Sequence, residues 1–270
     1  MKIKLKTRLQ AKLHRAPSDT PATREFPYGP VQVAVGTVAI FFASQFLAAI
    51  ILSVVANWRG LSTNQAADWT NSSVYAQFWL VVLLEASVTG LLVLLLKKRH
   101  ATLRTLGFVR LKVYDVVYAL AGFAVYFPLL LAATELLSIV QPSLNINQKQ
   151  DLGFSTTTTG WPLLLVFISL VILPPLVEEA LFRGFLFEGL RSKLKYIPSA
   201  LITSLLFALP HLLGGGSGSA LLWVAGVDTF ILSLVLTYLK EKTGSLWPGI
   251  FLHMIKNGLA FATLFVFHVV

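Results

Sequence analysis

The sequence predicts an all-α, polytopic integral membrane bundle of about seven to eight transmembrane helices, and three observations carry that prediction. Hydrophobic residues make up 56% of the chain and charged residues only 13%, with a mean hydropathy of +0.74, well outside the range of soluble domains. The apolar residues are gathered into runs that reach the ~20 residues a helix needs to cross hydrocarbon. Short basic tracts separate these runs at every second connection, as expected of cytoplasmic loops facing anionic lipid.

Residues 1–29 form a basic cytoplasmic segment with Lys2, Lys4, Lys6, Arg8, Lys12, Arg15 and Arg24, and Leu5, Leu9 and Leu13 recur at the spacing of a surface helix. The first span, 30–57, is too long for a cleaved signal peptide. A second span covers 74–96 and a third 113–140, after which 141–160 is polar. The fourth runs from Trp161 to Leu190 and contains Pro174 and Pro175, whose missing backbone donors predict a kink. Spans at 197–213 and 220–239 follow, joined by the glycine-rich 214–219, and the last span is 247–269. Counting the kinked segment once gives seven crossings; a re-entrant piece would make eight.

The 22 Lys and Arg exceed the 12 Asp and Glu, but most of them sit in four tracts: the N-terminus, Lys97 to Lys112, Arg191 to Lys195, and Lys240 with Lys242. That pattern marks topology, with the N-terminus inside and the C-terminus outside, rather than nucleic-acid binding. The expected partners are the lipid bilayer and a peptide or membrane-protein substrate. The absence of cysteine excludes disulfides, thiolate nucleophiles and cysteine-ligated metals.

Ionisable side chains in hydrocarbon are costly, and the C-terminal half concentrates them. Glu178, Glu179 and Arg183 follow the proline pair, His211 ends Phe207-Ala208-Leu209-Pro210-His211, and His253 and Asn257 lie one turn apart in the last span. At 1.5 Å per residue, Glu179 lies about 18 Å from Arg191, His211 about 20 Å from Pro198 and His253 about 16 Å from Lys242. These comparable depths allow one shared site, opening toward the cytoplasm. Adjacent helical residues point about 100° apart, so the two glutamates cannot do the same job. Arg183, four residues after Glu179, is placed to neutralise it, which leaves Glu178 free to take a proton from water. His253 and Asn257 share a face and are suited to donating to an oxyanion.

These motifs resemble the CPBP family, the CAAX protease and abortive-infection family of intramembrane peptidases. The resemblance rests on Glu178-Glu179-Ala180-Leu181-Phe182-Arg183-Gly184, Phe207 to His211 and His253-Met254-Ile255-Lys256-Asn257, preceded by Arg104-Thr105-Leu106-Gly107-Phe108. It implies that Glu178 and His211 activate water while His253 and Asn257 stabilise the oxyanion, with Glu179 and Arg183 in support. It also divides the chain into 1–29, N-terminal transmembrane helices over 30–105 and a protease domain over 106–270.

Other readings compete. Singly, His211 fits an interface residue, and His253 with Asn257 fits interhelical hydrogen-bonding. No cofactor is the preferred expectation, but Glu178, His211 and His253 also match a His2Glu zinc site. The chain has no HExxH, and Gly215-Gly216-Ser217-Gly218 matches a rhomboid-like GxSG only in a polar loop. A non-catalytic immunity or scaffolding protein of the same family is the alternative from another class. A proton-coupled transporter lacks the inverted repeats it would need. Glu85, Asp115, Glu135 and Asp228 are given no chemistry. Glu85 and Asp228 are read as cavity-lining or helix-pairing groups, Asp115 and His268 as interfacial, and His14 and His100 as solvated.

Overall fold

Prolines 30, 162 and 248 begin helices at positions where the first-turn N–H groups have no intrahelical acceptor, so the missing donor costs nothing. The computed structural model describes residues 25–144, 148, 152–213 and 221–268. The basic N-terminal helix, His14 and the 214–219 loop with its GxSG lie outside these residues. The helices are α1 Pro30–Trp58, α2 Thr63–Ser72, α3 Val74–Lys98, α4 Leu103–Leu106, α5 Val113–Val140, α6 Pro162–Arg191, α7 Tyr196–Leu213, α8 Trp223–Thr243 and α9 Trp247–Val266. Seven of them, all but α2 and α4, are long and apolar enough to cross a membrane.

α6 bears the mark of its proline pair. Pro174 and Pro175 cannot supply the N–H groups that the carbonyls of Leu170 and Val171 need in an α-helix. The helix takes this up in π-helical turns at Ile168–Ile172, before the pair, and at Glu179–Phe187, after it. Wide π turns are rare and recur at functional sites.

Two apolar clusters hold the bundle. Val33 and Ile40 of α1, Val88 and Leu92 of α3, Leu181 and Phe185 of α6, Phe207 of α7 and Ile250 of α9 form one. Ala119 and Tyr126 of α5, Leu232 and Leu236 of α8 and Leu252 of α9 form the other. The N-terminal helices thus share a core with α6. Exposed Val35, Phe46, Val54, Leu129 and Leu136 face outward, as lipid-facing side chains do. The turn after α4 docks tightly: Gly107 has φ 108°, and a Cβ there would stand 2.3 Å from Lys240 Nζ.

One expectation needs correction. Arg191 and Lys240, counted among the loop cations, are buried. Arg191 makes a fork of two hydrogen bonds, 3.1 and 2.8 Å, to Glu241, and Lys240 pairs with Glu188 at 2.8 Å. They tie the C-terminal end of α6 to that of α8 instead of resting in solvent, because each has an acidic partner on the facing helix.

Candidate active site

Glu178 and Glu179 sit where α6 passes from α-helical to π-helical, and the structure separates them as their angular offset requires. Glu179 is fully buried; its Oε1 accepts from Arg183 Nη1 at 2.9 Å, one helical turn on. The same oxygen lies 3.3 Å from His253 Nδ1 on α9. A carboxylate only accepts, so His253 Nδ1 carries a hydrogen. Among the described residues Glu178 makes no hydrogen bond; its side chain is 27% exposed, and its Oε2 stands 3.8 Å from His253 Nε2. His253 therefore bridges the two glutamates, one at each ring nitrogen.

α9 comes this close because of Gly249, one turn before His253, where a Cβ would stand 2.8 Å from Glu179 Oε2. Phe207 of α7 is the aromatic hub. The Arg183 guanidinium lies 4.3 Å from its ring centre, and the His211 and His253 rings lie 5.4 and 5.9 Å away. His211 Nδ1 lies 3.1 Å from the Phe207 carbonyl, which accepts, so in the neutral ring Nε2 presents its lone pair. Glu178, Glu179, Arg183, His211 and His253 thus form one cluster.

Asn257 is placed differently from expectation. Its Nδ2 donates to the Leu170 carbonyl at 2.9 Å, two turns from the glutamates. Leu170 is the residue whose α-helical and π-helical donors would be Pro174 and Pro175, so neither exists. Asn257 supplies the missing hydrogen and keeps its second N–H. Asn257→Ala is therefore expected to strand a part-buried carbonyl, at a cost of about 1 kcal/mol or more. It should lower the melting temperature of the purified protein, and an unchanged melting temperature would count against this bond.

Asp228, read from the sequence as a cavity-lining or helix-pairing group, does both. Asp228 of α8 accepts from the Tyr126 hydroxyl of α5 and pairs with Lys256 of α9 at 2.9 Å. These three line a cavity of about 330 Å³ with Phe123 and Phe127. Residues 102 apart in sequence meet at this hydrogen bond, and no local spacing signals it.

Among the described residues, no three His, Asp or Glu side chains stand close enough to hold a metal ion. Glu178, His211 and His253 are thus not grouped as a zinc ligand set in this structure.

Residues 160–259 match the family model for type II CAAX prenyl endopeptidases, described as Rce1-like. No curated protein and no solved structure matches the chain. The match lies within the expected domain of 106–270 and contains Glu178, Glu179, Arg183, His211, His253 and Asn257 together. Through residues 160–259 the chain is thus similar to the type II CAAX prenyl endopeptidases of the Rce1-like kind.

Proposed function

We propose that this protein is an intramembrane endopeptidase that hydrolyses a peptide bond of a membrane-associated or peptide substrate with water activated by Glu178 and His211. The observation that carries this reading is the unequal state of the paired glutamates: Glu179 is locked to Arg183, whereas Glu178 is open and faces His253. The Rce1-like domain supports peptidase activity at the level of the family.

Glu178, with no ion-pair partner among the described Lys and Arg residues, takes a proton as water attacks the scissile carbonyl. His211, its Nε2 lone pair free, accepts a hydrogen bond from the same water and orients it. For His253 to donate to the oxyanion through Nε2 while Nδ1–H remains on Glu179, the ring must carry both protons. The carboxylates of Glu178 and Glu179 flank it and compensate that charge. The second N–H of Asn257 is available to the oxyanion.

The test uses purified protein in liposomes with a quenched-fluorescent prenylated CAAX peptide, alongside proteomic comparison of membranes holding wild-type or Glu178→Gln protein. The wild type should generate new peptide termini that the variant does not, and chelators should leave the rate unchanged. Identical termini in both membranes, with no cleavage of the peptide, would overturn the protease reading. Activity lost on chelation and restored by zinc would replace the metal-free mechanism.

A further inference from the structure

α6 carries Glu178, Glu179 and Arg183, and α9 carries His253, so the site holds together only while these two helices keep their spacing. Neither contact of His253 has slack: 3.3 Å to Glu179 is near the limit of a hydrogen bond, and 3.8 Å to Glu178 is beyond it. A displacement of α9 by about 1 Å is enough to part them.

The start of α9 is held by the connection between α3 and α5. A helix start leaves its first N–H groups without intrahelical acceptors. Here the N–H of Leu246, at the N-cap of α9, donates to the Gly107 carbonyl at 3.0 Å. The indole Nε1–H of Trp247, the first residue of the helix, donates to the Val109 carbonyl at 2.8 Å. Phe108 stands edge-on to the Trp247 ring, with 5.8 Å between centres. The chain can turn back onto α9 because Gly107 closes α4 in the left-handed region, with its own N–H on the Arg104 carbonyl at 3.0 Å.

The same connection touches α6 and α8. Leu106 is fully buried, and a Cβ on Gly184 of α6 would stand 2.7 Å from the Leu106 Cβ, so a glycine next to Arg183 lets Leu106 seat against the helix. Beside Gly107, Lys240 of α8 donates to the Gly244 carbonyl at 3.3 Å and pairs with Glu188 of α6 at 2.8 Å. Residues 106–109 thus touch both helices at matching distances from the chemistry: His253 lies about 9 Å along α9 from Trp247, and Glu178 about as far along α6 from Gly184. They precede the 160–259 stretch that matches the family model, so the match assigns them nothing.

We propose that residues 106–109 are a positioning strap that sets the spacing of α6 and α9 and thereby keeps His253 between the two glutamates, with Gly107 and Trp247 as its positioning residues. This rests on the peptidase reading of the site. The strap acts through His253: with α9 displaced, Nε2 no longer stands where the oxyanion forms, while binding of the peptide in its ground state is unchanged. The loss therefore falls on kcat rather than on KM.

Trp247→Phe is the sharpest test, because it keeps an aromatic ring against Phe108 and removes one donor. Its matched control is Tyr28→Phe, which also removes one side-chain hydrogen bond to a main-chain carbonyl, that of Leu95. In full-length protein in liposomes with the prenylated peptide, Trp247→Phe should lower kcat about tenfold with KM unchanged, and Tyr28→Phe should leave both alone. Gly107→Ala, strained at its positive φ and crowded against the Gly244 carbonyl at 3.1 Å, should lose about a hundredfold. Proton NMR of protein with isotope-labelled histidine reads the positioning without turnover. The His253 Nδ1–H resonance, far downfield in the wild type because it is bonded to Glu179, should move upfield in Trp247→Phe and stay in place in Tyr28→Phe. A Trp247→Phe protein with wild-type kcat and a wild-type His253 resonance would overturn the proposal, and so would a Tyr28→Phe protein that loses as much kcat as Trp247→Phe. A wild type that cleaves nothing would sink the peptidase reading instead, and the His253 resonance would still decide whether the strap holds α9.

Discussion

Glu178→Gln is expected to fold and melt like the wild type while losing cleavage by about 10²- to 10⁴-fold, the contribution of one positioned base. The stability half follows from its surroundings. Among the described residues Glu178 makes no hydrogen bond; its side chain is 27% exposed, and His253 Nε2 stands 3.8 Å from its Oε2. A neutral isostere there strands no partner and removes a charge that is costly to bury. The activity half follows because the amide cannot take a proton from water. Cleavage and thermal unfolding measured on one preparation decide the matter. A Glu178→Gln protein that melts well below the wild type, or that still cleaves, would show that the two glutamates have been assigned in the wrong order.

Glu179→Gln and Arg183→Ala are expected to lose stability first and activity as a consequence. Both side chains are fully buried and 2.9 Å apart, and removing one partner leaves the other as an uncompensated charge, at a cost of about 3–5 kcal/mol. Glu179 also holds His253 Nδ1 at 3.3 Å, so its loss frees the imidazole as well. Arg183 additionally loses its packing over Phe207 at 4.3 Å. The melting temperature should fall on the order of 10 °C for either variant, from the usual relation between free energy and melting temperature. Differential scanning fluorimetry in detergent reads it directly, and a Glu179→Gln protein of wild-type stability would remove the structural role given to this pair.

What could be read from the chain itself was local. Span positions followed from hydropathy over some twenty residues, and the structure places all seven within a few residues of expectation. The Glu179–Arg183 pair followed from a separation of four residues on a helix, which puts two side chains on one face whatever surrounds them. Pro174 and Pro175 announced a disturbed helix, although its form, π-helical turns on either side, depends on what packs there.

Contacts between distant segments decided the rest. His253 reaches Glu179 across 74 residues, and Asn257 reaches Leu170 across 87. Spacing alone gave Asn257 the same facing as His253, yet its hydrogen bond goes to a carbonyl that two prolines had orphaned. Arg191 and Lys240 looked like loop cations because their partners, Glu241 and Glu188, lie on other helices. Hydropathy and helical periodicity determined which residues enter the membrane and which face each helix presents, because both act over one or two turns. Which faces meet, and hence which charges neutralise one another, was settled only when the helices packed.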